Sequence, residues 1–65
     1  MKLRPDGKPA AILKDLLSKE GEGLVIPTSA RLRLLNLGYI RHLGGWMCRL
    51  TPDGLTAARA LQASS

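Results

Sequence analysis

The chain has 65 residues, enough for one small domain, and its ten Lys and Arg against five Asp and Glu give a formal net charge of +5. This positive excess favours a polyanionic partner such as nucleic acid, although a basic surface can also serve only solubility. The single cysteine, Cys48, excludes an intrachain disulfide, and no apolar run approaches the ~20 residues of a membrane-spanning helix, so we expect a soluble cytoplasmic protein.

The first part of the chain predicts an arm or short edge segment, either a basic arm that contacts phosphates or a frayed terminus, and then a helix and a short strand. Residues 1–7 have no clear period and are assigned to the arm, and Pro9 is tolerated in the first turn of a helix. Four aliphatic side chains then share one helical face, namely Ile12, Leu13, Leu16 and Leu17. Gly21 ends this helix, and residues 24–26 are a β-prone run that can add a third strand to a sheet.

The helix predicted over residues 28–37 has clear signals at both ends. Thr28 or Ser29 can cap its N-terminus, and Gly38 stands where a left-handed residue ends a helix. Its core side carries Ala30, Leu34 and Leu37. Leu32 and Leu35 extend the apolar arc beyond what a surface helix normally buries.

A polar stripe of Ser29, Arg33 and Asn36 follows this helix at i, i+4 and i+7. Arg pairs with guanine and Asn with adenine in the major groove, so the stripe has the chemistry of base readout. The alternative is that any helix on a leucine core must expose something polar. The helix alone leaves both interpretations open.

The next segment predicts a β-hairpin over residues 39–50. Two β-prone runs flank Gly44-Gly45, which is a strong signal for a two-residue turn. The cross-strand pairs predicted from such a turn are Leu43 with Trp46, Arg41 with Cys48, and Tyr39 with Leu50. This register puts Cys48 and His42 on opposite faces, where they cannot share a metal. We therefore expect Cys48 to be a small core residue and His42 to be solvated.

The last helix is predicted from Pro52 to about Leu61, with Thr51 as its N-cap and residues 62–65 as a frayed tail. The predicted core is made of leucines, namely Leu13, Leu16, Leu17, Leu34, Leu37, Leu50, Leu55 and Leu61. The expected fold is a single α+β domain, mainly α, with three helices and a two- or three-stranded antiparallel sheet. With one His, one Cys and no convergent carboxylates, we expect no enzyme, no cofactor and no metal site.

The segment ARLRLLNLGYIRHLGGWMCRLTPDGLTAARAL resembles the winged helix-turn-helix family of bacterial and phage transcriptional regulators, including the MarR group. The resemblance rests on Leu-Gly followed by two apolar residues, a hairpin, and Leu-Thr-Pro-x-Gly opening a helix, and it covers residues 10–61. The family normally has a further helix before the recognition helix. Residues 21–27 are too short for it, so the resemblance is to a minimal variant.

The resemblance implies double-stranded DNA as the partner, with the helix over 28–37 in the major groove and the hairpin over 39–50 as the wing. The groove contacts would be Ser29, Arg31, Arg33 and Asn36. The wing contacts would be Arg41, His42 and Arg49. The alternative is a winged-helix protein-interaction module that uses Leu32, Leu35 and Trp46 to bind a partner protein or a second copy, because fold alone does not decide function.

Overall fold

The computed structural model describes residues 6–63, which form three helices and a small three-stranded sheet. The helices are α1 (Lys8–Ser18), α2 (Ser29–Leu37) and α3 (Pro52–Ala63), and the strands are β1 (Glu22–Leu24), β2 (Ile40–Gly44) and β3 (Met47–Leu50). The sheet is antiparallel with the order β1-β3-β2. The predicted α+β class is therefore confirmed. Within residues 6–63 no helix lies between β1 and α2, and none is long and apolar enough to cross a membrane.

The ends of α2 follow the predicted local signals. The Thr28 side-chain oxygen accepts a hydrogen bond from the Arg31 amide at 3.3 Å, which makes Thr28 the N-cap. Gly38 adopts the left-handed conformation with a φ of 77°. This conformation is unfavourable for residues that carry a side chain, which is why glycine commonly ends a helix. The predicted bounds of this helix are confirmed to within one residue.

The helix α3 continues beyond its predicted end. It runs through Ala63, so the first two residues of the predicted 62–65 tail are helical. The rest of that tail, Ser64 and Ser65, lies outside the described residues, as do residues 1–5 of the predicted arm. Of the arm, Gly7 occupies the N-cap position of α1.

The short strand β1 begins two residues earlier than the predicted run over 24–26. Gly23 pairs with Cys48 in β3 and lies against α1, where an added Cβ would come within 3.2 Å of the Leu16 side chain. Glycine thus lets the edge of the sheet approach the helix closely. The Val25 amide still donates to the Trp46 carbonyl oxygen at 2.8 Å, one residue past the strand.

The predicted register of the hairpin is wrong by one residue. The observed pairs are Ile40 with Leu50, Arg41 with Arg49, His42 with Cys48, and Gly44 with Met47. The register of the pairing shifts by one residue between His42 and Gly44, as in a β-bulge. Gly44 has a φ of 139°, which favours glycine. This register brings the buried side chains of Ile40 and Leu50 together on the core face, whereas the predicted one separates them.

The observed register also corrects the predicted placement of His42 and Cys48. Residues directly opposite in neighbouring strands share a face of the sheet, so these two lie on the same face. Cys48 is fully buried there, as predicted for a core residue, while His42 is exposed nearer the turn.

The core lies between the three helices and one face of the sheet. Five predicted leucines are buried in it, namely Leu13, Leu16, Leu34, Leu50 and Leu61. The other three, Leu17, Leu37 and Leu55, are partly buried against it. The leucine pattern did not identify other members of the core, which include Ala10, Val25, Ile40 and Ala57. Small alanines let α1 and α3 pack closely, which is why these helices make extensive contact.

Candidate nucleic-acid interface

The predicted polar stripe on α2 is exposed along its whole length. Ser29, Arg33 and Asn36, called here the α2 strip, are all exposed, while Ala30 and Leu34 on the other side of the helix are buried. The strip borders a shallow concavity of about 290 Å³ that Leu32 and Leu37 also line. The helix therefore presents a hydroxyl, a guanidinium and a carboxamide outward from a backbone that the core holds in place.

A basic residue from α1 extends this surface. Lys8 and Pro9 line a second concavity, of about 420 Å³, together with Ser29 and Arg33. Because the two concavities share these α2 residues, the surface continues from the start of α1 along α2. No role in binding was predicted for Lys8 from the sequence. Nothing in the local sequence around Lys8 indicates that it lies beside Ser29 and Arg33 of a later helix.

Arg31 occupies a different part of α2. Its side chain is half-buried, and its Nε atom is buried without a hydrogen-bond partner in the described part of the chain. At 100° per residue it lies well away from Ser29 and Asn36. Its predicted role in groove contact stays a prediction.

The arginines of the hairpin form a cross-strand pair. Arg41 and Arg49 are directly opposite each other on the face of the sheet that points away from Cys48 and Leu50, and both are exposed. They lie one position from the Ile40–Leu50 pair that starts the hairpin, and so at its base rather than at its tip.

A third arginine, Arg59, lies in the same concavity as Arg41 and Arg49, and no role was predicted for it from the sequence. Arg59 belongs to α3, and the concavity has a volume of about 830 Å³. The three arginines and this concavity are called here the arginine basin. The residues of the α2 strip and those of the basin line different concavities.

The side chain of His42 is engaged inside the hairpin. Its Nε2 atom lies 2.7 Å from the carbonyl oxygen of Gly45, and a carbonyl only accepts, so Nε2 carries the proton in this contact. The ring therefore braces the turn. A contact from His42 to DNA stays a prediction.

The residues predicted for protein interaction are unequally exposed. Leu32 is 58% exposed and Trp46 is 55% exposed, whereas Leu35 is partly buried against the core. Leu24 and Ile26 form a second apolar surface beside α1, and each is about two-thirds exposed. This surface was not predicted from the sequence. Leu24 is the last residue of β1 and Ile26 follows the strand, and only their placement on the outside of the fold reveals this surface.

Within residues 6–63 no group of three or more His, Cys, Asp and Glu side chains is close enough to hold a metal ion. The α2 strip and the arginine basin present hydrogen-bonding groups and positive charge, and Leu32, Trp46, Leu24 and Ile26 present apolar side chains. Comparisons of this chain with protein-family models, with curated proteins and with solved structures gave no match.

Proposed function

We propose that the protein is a DNA-binding transcriptional regulator in which α2 enters the major groove and the hairpin over residues 39–50 acts as the wing. The observation that carries the proposal is the α2 strip, which combines three exposed polar side chains on one face of a capped helix. An α-helix with its side chains is about 10–12 Å across, which suits a helix lying in a major groove about 12 Å wide.

The side chains of the strip fit base edges in the major groove. A guanidinium donates two hydrogen bonds to guanine, and a carboxamide both donates to and accepts from adenine. Arg33 and Asn36 are separated by three residues and so project from the same side of α2. Ser29, at the first turn, is placed for a phosphate or a base contact.

Positive charge around the strip supports the same function. Lys8 flanks the start of the strip, and the whole chain carries a net charge of +5. Phosphate contacts supply most of the non-specific affinity for DNA and make it depend strongly on salt. In this proposal Arg41 and Arg49 supply such contacts from the wing.

An NMR titration with random-sequence duplex DNA at low and at moderate salt tests the proposal. We expect amide shifts concentrated on α2, at Lys8 and on the hairpin, and much weaker binding at the higher salt. The variant Lys19→Gln removes one charge from an exposed lysine that pairs with Asp15 at 3.1 Å, and serves as the charge-matched control for Arg33→Gln. No shift on adding duplex at low salt would sink the proposal.

A protein-interaction module is the second candidate, and the exposure of Leu32 and Trp46 favours it. Large exposed apolar side chains often belong to binding surfaces. In that case a partner protein, rather than DNA, contacts Leu32, Leu35 and Trp46. The same titration separates the two functions, because a module of this kind gives no shifts with duplex.

A further inference from the structure

The arginine basin combines residues from three elements that are distant in sequence. Arg41 comes from β2, Arg49 from β3 and Arg59 from α3, and all three side chains are exposed. Their concavity of about 830 Å³ is also lined by Leu17 at the end of α1 and by Leu55 in α3. The basin is therefore a product of the tertiary fold and no single element contains it.

The three arginines of the basin are balanced only in part by carboxylates of the described chain, since Glu22 lies opposite Arg49 and Glu20 lines the basin. Arg41 and Arg49 are directly opposite each other, and like charges in that relation destabilise a sheet. Within residues 6–63, no carboxylate forms an ion pair with any of the three basin arginines. An external anion would relieve this repulsion.

The apolar wall strengthens the attraction for an anion. A cleft that carries charge of one sign and has walls of low dielectric constant concentrates the electrostatic potential. Leu17 and Leu55 supply apolar parts of the wall in the concavity that the three arginines line. A guanidinium fork also matches the oxygens of a phosphate better than an ammonium group does.

We propose that Arg41, Arg49 and Arg59 bind one phosphate group of the DNA backbone, which makes α3 part of the DNA-contacting surface. This inference rests on the proposed function and adds a contact at the base of the hairpin, beyond the wing itself. The hairpin tip, Gly44-Gly45, has no basic side chain, whereas the base has two.

The position of the basin suits a second backbone contact on the same duplex. The α2 strip begins beside Lys8 at one end of α1, and the basin borders Leu17 near the other end. The eleven residues of α1 span about 16 Å, a distance of the same order as the width of the major groove at about 12 Å. The separation along α1 is thus of the same order as the distance between the two strands that border the groove.

The first experiment uses inorganic phosphate and no DNA. The side-chain Nε–H resonances of the arginines are followed by NMR as phosphate is added at constant ionic strength. We expect those of Arg41, Arg49 and Arg59 to shift with one shared dissociation constant. Arg59→Gln should weaken this binding roughly threefold or more at the other two arginines, the order expected of an exposed charge-assisted contact, and Lys19→Gln should leave it unchanged.

The second experiment measures how affinity for random duplex depends on salt. Arg59→Gln should lower the slope of log K against log salt concentration by a part of the roughly one unit that a single phosphate contact contributes, and Arg41→Gln and Arg49→Gln should do the same. Lys19→Gln, with the same change in net charge, should leave the slope unchanged. All these side chains are exposed, and thermal melting checks that each variant folds.

The outcomes separate this inference from the proposed function. If duplex binds but Arg59→Gln changes neither the slope nor the phosphate shifts, the basin is not a phosphate site, while DNA binding stands. If phosphate binds at the basin but duplex does not bind the protein, the proposed function fails, and so does the assignment of the phosphate to DNA. Basin shifts with polyglutamate that exceed those with phosphate would overturn the proposal in favour of an acidic peptide.

Discussion

Gly54 in the first turn of α3 packs directly against the backbone of Tyr39, the residue that follows the Gly38 cap of α2. A Cβ built on Gly54 would overlap the Tyr39 carbonyl oxygen and would lie 2.7 Å from its carbonyl carbon. This contact explains the glycine of the Leu50-Thr51-Pro52-Asp53-Gly54 segment, because any side chain there would push α3 away from the start of the hairpin.

We expect Gly54→Ala to destabilise the fold by about 1–3 kcal/mol or more, since the clash is with backbone and cannot be relieved by a rotamer change. Chemical denaturation measures the free energy of unfolding. Gly38→Ala is the control, because it has open space around its Cβ and carries only the cost of a left-handed conformation, about 1–2 kcal/mol. A smaller loss for Gly54→Ala than for Gly38→Ala would mean that the close approach to Tyr39 is unimportant.

Thr51 joins the same two segments through its hydroxyl. It accepts a hydrogen bond from the Gly54 amide at 3.0 Å and donates one to the carbonyl oxygen of Gly38. We expect Thr51→Val, which keeps the shape but removes both bonds, to cost about 0.5–2 kcal/mol. Thr56→Val is the control, because that hydroxyl bonds only to Pro52 within α3. Equal losses in the two variants would show that the link to Gly38 contributes nothing.

The parts of the fold that local chemistry determines could be predicted from the sequence. The start of α2 follows from the Thr28 cap and its end from Gly38, and both signals act within a few residues. The register of the hairpin could not be predicted in this way. It depends on which residues reach the core, and the irregularity next to Gly44 makes Ile40 meet Leu50.

The same distinction holds for the candidate site. The α2 strip is a matter of helical phase, so the spacing of Ser29, Arg33 and Asn36 was enough to predict their shared exposure. Lys8 lies beside the α2 strip only because α1 packs beside α2. Arg59 belongs to the arginine basin only because α3 packs beside the hairpin. Contacts between elements so far apart in sequence leave no local pattern.

Truncation of two leucines of α2 should lower the stability of the fold by very different amounts. Leu34 is fully buried, so we expect Leu34→Ala to cost about 2–5 kcal/mol through lost burial and the cavity left behind. Leu32 is 58% exposed, so Leu32→Ala should change stability far less. Thermal melting of the two variants measures the difference. A melting temperature barely changed by Leu34→Ala would mean that the helix phase is wrong.

Arg33 and Asn36 should affect sequence preference more than general affinity. If they contact base edges, Arg33→Ala or Asn36→Ala should cost about 1–3 kcal/mol on a site selected from a random duplex library, with little loss on unselected duplex. Competition binding at fixed salt gives both numbers for each variant. Arg41→Ala serves as the comparison, because a phosphate contact weakens binding to all sequences alike. Equal losses on both kinds of DNA would reduce Arg33 and Asn36 to phosphate contacts.

The last prediction concerns assembly. One domain of this size offers few base contacts, and DNA-binding regulators commonly double them by two-fold symmetry. Leu32 and Trp46 are each more than half exposed, and Leu35 lies partly buried on α2. We therefore expect self-association through Leu32, Leu35 and Trp46, measured by sedimentation equilibrium up to high micromolar concentration.

The variant Leu32→Glu should weaken this association without lowering the melting temperature much, because the side chain is exposed in the single chain. Leu24→Glu is the matched control, since Leu24 is 65% exposed but lies on β1, outside the predicted contact. If Leu24→Glu disrupts the dimer and Leu32→Glu does not, the interface uses the surface of Leu24 and Ile26 instead. A wild-type monomer whose stability collapses on Leu32→Glu substitution would make Leu32 a core residue and the assembly prediction wrong.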